Sequence, residues 1–196
     1  MNRKILLLIA IVFIGAMVFV ACSDTPGRSR HMNVLPDSSA LVARGEYLVN
    51  TIGCDDCHSP KKMGPQGPEL IADLRFSGFQ QNGQLPKVNT AEVKKGFLMF
   101  APDLTAAVGP WGVSYAGNIS SDATGIGNWT EANFIRAIRQ GKLKGLENSR
   151  SLLPPMPWPS YKNLTDEDLK SIFAYLKTTK PVNNVVPQPV PPTALK

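Results

Sequence analysis

The chain has 196 residues, 43% of them hydrophobic, enough for one domain with a real core plus tails. Lys and Arg number 21 against 15 Asp and Glu, for a formal charge of +6. That mild basicity, without a dense Lys/Arg run, is too little to argue for nucleic acid as a partner, and none is expected.

The N-terminus reads as a targeting segment. Asn2-Arg3-Lys4 is a short positive region, and Ile5 to Ala21 is an unbroken run of 17 apolar and small residues ending at Cys22. That run is longer than a typical signal core and just short of the roughly 20 residues of an easy helical span. Phe19-Val20-Ala21-Cys22 resembles the lipobox of bacterial lipoproteins, which implies cleavage of 1–21 and a lipid on Cys22. The expectation is a protein anchored to a bacterial membrane, facing the periplasm or cell exterior. Residues 22–37 are polar with Pro and Gly and read as a flexible tether that holds His31 and Met32. The domain is expected over 38–180.

Residues 39–53 have helical periodicity, with Leu41, Gly45, Leu48 and Ile52 on one face and Asp37, Ser38 or Ser39 as cap. Glycine inside a helix costs about 1 kcal/mol against alanine. Gly45 is therefore best explained by a second helix crossing closely there. Residues 60–128 hold no long periodic segment and are rich in turn signals, among them Gly64-Pro65, Gly67-Pro68 and Gly109-Pro110. Residues 91–100 read as a short helix or strand.

Two later helices are well signalled. Thr130 is placed as N-cap with Trp129 and Phe134 as a hydrophobic staple, and Gly141 is a natural stop. Thr165 and Asp168 have capping-box spacing, with Leu164 and Leu169 as staple and Pro181 beyond the end. The Pro-rich residues 181–196 read as an extended, mobile tail.

The chemistry lies in Gly53-Cys54-Asp55-Asp56-Cys57-His58. A structural zinc site needs four ligands, and Cys54, Cys57 and His58 have no fourth within the domain. A thioredoxin-like pair needs a helix start that stabilises thiolate, whereas here Asp55 and Asp56 oppose it. C-x-x-C-H reads instead as an attachment site for c-type haem. Cys54 and Cys57 would form the thioethers, and His58 would be the proximal axial iron ligand.

The opposite iron face needs a further ligand, and no spare histidine lies in the domain. Met63 is five residues past His58, a reach of at most about 18 Å, too short to wrap round the macrocycle. Met99 and Met156 remain. Met99 lies in the apolar run GFLMF, where a core methionine is the default. Met156 lies in LLPPMPWPSY, where Pro154, Pro155, Pro157 and Pro159 stiffen the loop just before the last helix, and it is the favoured distal ligand.

Helix, attachment motif, methionine loop and final helix, in that order, resemble a class I cytochrome c. The stretch from GPWGVSYAGNISSDATGIGNWTEANFIRAIRQG to PPMPW also resembles c-type subunits of periplasmic dehydrogenases. The resemblance covers most of 39–180. It implies an all-α fold round one covalent haem c, with a long loop-rich insertion between the haem motif and the methionine loop. It implies contact of Gly45 and Tyr47 with Phe173, Tyr175 or Leu176, and a proline carbonyl, Pro68 or Pro65, accepting the His58 ring N–H. The interval from His58 to Met156, 98 residues, exceeds that of compact members and keeps Met99 open as the alternative. The implied function is electron transfer between a redox donor and acceptor, without enzymatic bond chemistry. An open-iron haem sensor or small haem enzyme is the rival reading. Arg136, Arg139, Lys142 and Lys144 are a candidate electrostatic docking patch, or cations that complement a helix C-terminus.

Overall fold

The structure, a computed structural model, describes residues 37–195. The leader, Cys22 and most of the tether lie outside the described residues. Among the described residues no helix is long and apolar enough to cross a membrane.

Helix α1 spans Ser38–Thr51, with Asp37 as N-cap accepting from the Ser39 amide. It buries Gly45, Leu48 and Val49. Helix α2, Cys54–His58, follows after Gly53 turns the chain in the left-handed region at φ 75°, a conformation glycine adopts without a Cβ penalty. A hairpin of β1 (Lys61–Gly64) and β2 (Gly67–Leu70) comes next. Helix α3 (Thr90–Lys94) then leads into a three-stranded antiparallel sheet of β3 (Met99–Phe100), β4 (Ala106–Gly109) and β5 (Gly112–Tyr115). Helix α4 spans Glu131–Gln140, short α5 Trp158–Tyr161, and α6 Asp166–Thr178.

The capping signals are realised in full at α4 and by the N-cap bond alone at α6. Thr130 and Asn133 exchange hydrogen bonds as a capping box at α4, which stops at Gly141 with φ 61°. Thr165 accepts from the Asp168 amide at the head of α6. The main core joins Leu48 and Val49 of α1 to Phe134 of α4 and to Leu169, Ile172, Tyr175 and Leu176 of α6, with Phe76 and Ile126 closing its edge. Each such side chain stabilises by roughly 1.5–3 kcal/mol.

The first and last long helices cross at Gly45. A Cβ there would stand 1.9 Å from the Ser171 carbonyl oxygen and 2.7 Å from Tyr175 Cβ, so the two backbones touch. Tyr47 is 60% exposed, with the Arg44 guanidinium 5.6 Å from its ring centroid.

The helices agree with the sequence reading, but the description all-α does not. The segment between the attachment turn and α4 holds two small sheets. Their strands run two to four residues, too short for a period-two pattern to register. β4 is moreover buried along its whole length, and a strand covered on both faces shows no alternation. The Pro-rich end is also not a free tail. Val113 and Val190 exchange backbone hydrogen bonds at 2.8 and 3.0 Å, and Asn184 is only 2% exposed. Residues 181–190 form a strap against the domain.

Candidate functional site

The site is assembled on α2. One turn of helix places Cys54, Cys57 and His58 together, and Asp55 and Asp56 in that turn favour the positive helix end. Both cysteines are free and half-buried. Burial, then the nearby Asp55, pushes the Cys54 thiol up to about 12, and burial with Asp56 raises Cys57. An exchange-active pair requires the opposite, a thiolate held at low pKa. Among the described residues no group of three or more His, Cys, Asp or Glu is placed to hold a bare metal ion.

His58 Nδ1 lies 2.7 Å from the Gly117 carbonyl oxygen. A carbonyl only accepts, so Nδ1 carries the proton and Nε2 keeps its lone pair. Burial lowers the His58 pKa, and the Gly117 bond opposes this only in part. The ring is therefore neutral at neutral pH, the form that ligates iron. The acceptor is Gly117 rather than the expected proline carbonyl. Pro68 lies exposed in β2, paired with Met63.

Three side chains lock the turn. Asp55 receives Arg75 Nε at 3.0 Å and Nη2 at 2.7 Å, and the Ser59 hydroxyl at 2.6 Å. Burial would raise the Asp55 carboxyl, but these hydrogen bonds outweigh it and hold the group below its ordinary 3.8. Arg75 also reaches Asn50 Oδ1 and the Tyr175 hydroxyl at 2.7 and 3.2 Å, so one guanidinium joins α1, α2 and α6. Lys61 Nζ donates to the carbonyls of Asp55, Asp56 and Ser59 at 2.8–3.0 Å, which caps α2, and to that of Asp103 at 3.2 Å.

The two candidate methionines have different surroundings. Met99 packs against Val93, Val108 and Val113 in the cluster beside the sheet. Met156 lies in the loop that Ser114 Oγ fastens by donating to the Pro154 carbonyl at 2.6 Å. Past that loop, the Tyr161 hydroxyl donates to the Ile52 carbonyl at 2.8 Å, two residues ahead of Cys54. The cationic cluster is largely occupied within the fold. Arg136 donates to the Gly145 carbonyl at 2.9 Å, Lys142 to that of Ser149 at 3.4 Å, and Arg139 engages Asp166 and the Lys162 carbonyl.

The sequence points directly to Cys54, Cys57 and His58. It does not point to Gly117, because a backbone acceptor leaves no side-chain signal. Arg75 could have been suspected only from the need to balance Asp55 within the motif.

The cytochrome c family model matches residues 42–180, and the chain belongs to that family. It is a c-type cytochrome similar to the cytochrome subunits of dehydrogenases. It is 31% identical over 176 residues to the gluconate 2-dehydrogenase cytochrome c subunit of Pantoea cypripedii, covering 89% of this chain and 28% of that protein. It is 42% identical over 150 residues to the fructose dehydrogenase cytochrome subunit of Gluconobacter japonicus, covering 75% and 23%. It is 40% identical over 157 residues to the cytochrome c subunit of the quinone alcohol dehydrogenase of Gluconacetobacter polyoxogenes, covering 79% and 25%. The chain thus spans about a quarter of the length of these relatives. Family membership implies covalently bound haem c, and the residues fit it: two reduced thiols one turn apart, followed by an imidazole whose Nε2 is free.

Proposed function

We propose that the chain is a membrane-anchored, single-haem electron carrier whose iron is held by His58 and Met156. The observation that carries this reading is the His58 Nδ1–H bond to Gly117, which aims a neutral, oriented imidazole from a turn that bears two thiols. Haem c, when bound, supplies a one-electron iron couple. The chain's residues do the rest. Cys54 and Cys57 tether the group, His58 donates through Nε2, and Asp55, Arg75 and Lys61 hold the turn rigid, which keeps reorganisation small.

Two observations support Met156 over Met99. Met99 is already packed in the sheet-side cluster. Met156 is five residues from Tyr161, whose hydroxyl is tied beside the attachment turn. The test is the near-infrared band of sulfur bound to iron(III). Met156→Ala should abolish it and admit carbon monoxide or cyanide quickly, whereas Met99→Ala should keep it. The reverse result transfers the ligand to Met99. No band in the wild type returns the protein to an open-iron sensor or enzyme.

Its donor would be a dehydrogenase, since the similar proteins are named as dehydrogenase subunits. An anchor through lipidated Cys22 would keep it at a bacterial membrane, on the periplasmic or outer side. Mass spectrometry of the mature N-terminus tests this, and a terminus other than acylated Cys22 overturns it.

A further inference from the structure

We infer that Asn118 and Asn184 form a clasp that positions the Gly117 carbonyl, and through it sets how His58 binds iron. Neither residue is near the haem motif in sequence, and Asn184 belongs to the strap. Both are buried, at 8% and 2% exposure. Buried amides persist only where their hydrogen bonds are met, and these two have a full set.

Asn118 directly follows Gly117. Its Nδ2 donates to the Val182 and Asn184 carbonyls at 2.8 and 3.2 Å and to Thr124 Oγ1 at 3.1 Å. Its Oδ1 accepts from the amide and hydroxyl of Ser120 at 3.0 and 2.7 Å. Asn184 works on the opposite segment. Its Nδ2 donates to the Ser77 and Phe79 carbonyls at 2.8 and 2.9 Å, and its Oδ1 accepts from the Gln81 amide at 2.8 Å. Its own amide donates to Thr124 Oγ1 at 3.0 Å, so the threonine hydroxyl links the two asparagines.

The segments so joined are the two that bracket the histidine acceptor. The Gly78 amide donates to the His58 carbonyl at 2.8 Å, and the Phe79 amide to that of Ala116 at 3.0 Å. The Phe76 carbonyl accepts from both Ile119 and Ser120. At Gly78, with φ 72°, a Cβ would stand 2.3 Å from the Ala116 oxygen and 2.6 Å from the Gly117 carbonyl carbon and oxygen. The Gly117 peptide is therefore wedged between Gly78 and His58 and held from behind by the asparagines. A shift of that peptide carries Asn118, the next residue, and so disturbs the bonds its side chain makes to the strap.

A stronger Nδ1–H bond makes the imidazole a better electron donor, which favours the oxidised iron. Loosening the clasp should weaken that bond and raise the reduction potential. A role limited to fastening the strap predicts lost stability and an unchanged iron.

The experiment uses the full holoprotein. It compares wild type, Asn184→Ala and Thr124→Val by midpoint potential, by the paramagnetically shifted proton resonances of the His58 ring, and by thermal melting. Val190→Pro is the control, since it removes the amide donated to Val113 at the far end of the strap and leaves the clasp intact. The expected result is a raised potential and moved His58 resonances in both clasp variants, while Val190→Pro melts lower at an unchanged potential. Thr124→Val removes a single hydroxyl, so it reads the clasp even if Asn184→Ala fails to mature. Clasp variants that melt lower with wild-type potential and resonances overturn the inference. It rests on His58 ligation, so the wild-type ring resonances are recorded first. Their absence overturns the ligand assignment itself, a result distinct from loss of the clasp alone.

Discussion

Arg75 and Asp55 meet through two parallel contacts, Nε to Oδ1 at 3.0 Å and Nη2 to Oδ2 at 2.7 Å. The aspartate sits between the two cysteines, so this fork fixes the attachment turn against both long helices. Arg75→Met should destabilise the protein by about 2–3 kcal/mol, because a partly buried carboxylate and the Tyr175 hydroxyl lose their donor. Arg75→Lys should recover only part, since an ammonium cannot supply two parallel bonds. Urea denaturation of the three proteins measures both effects, and a lysine variant as stable as wild type would refute the forked geometry as the cause.

The same pair sets a pH dependence. The folded Asp55 pKa lies below its ordinary 3.8, so between the two values the native state binds fewer protons than the unfolded one. Stability from this group is full above the ordinary value and lost as pH falls through the lower, folded value. Asp55→Asn should therefore show a shallower acid limb in a plot of melting temperature against pH. Identical acid limbs would mean that other carboxyls govern acid unfolding.

Gly45→Val tests the helix crossing. Its Cβ would fall 1.9 Å from the Ser171 oxygen, a backbone atom that cannot swing aside. The helices would have to part, and the expected cost exceeds about 3 kcal/mol, the upper end of ordinary overpacking. The readout is the denaturation midpoint, and a shift equivalent to less than about 1 kcal/mol contradicts a contact this close.

Covalent haem should depend on both thiols. Cys54→Ala with Cys57→Ala should leave no haem stain on the polypeptide in a denaturing gel, while each single variant should retain one thioether. Stain surviving in the double variant would place the attachment elsewhere.

Much of this architecture is legible because local chemistry and tertiary fold agree. Thr130, Thr165 and Gly141 mark helix ends through caps that act within one turn. Gly45 betrays a helix crossing because a costly residue needs a compensating contact. The illegible parts act over long range through backbone atoms. Gly117 acts by a carbonyl that every residue type possesses. β4 and β5 are too short and too deeply covered to alternate. The strap looked free because proline-rich composition describes its extended backbone correctly, while its docking rests on Asn184 and the Val190 backbone.

The crossing of α1 with α6 also has a temporal consequence. Protein synthesis releases the attachment turn early, while the Gly117 acceptor, the Met156 loop, α6 and the strap come later along the chain. Until those segments exist, Cys54 and Cys57, half-buried in the folded chain, lack the cover that folding gives them. The unfolded chain would thus be the state best suited to receive haem. Closure of the last helix over the first at Gly45 would then act as a latch on the completed attachment.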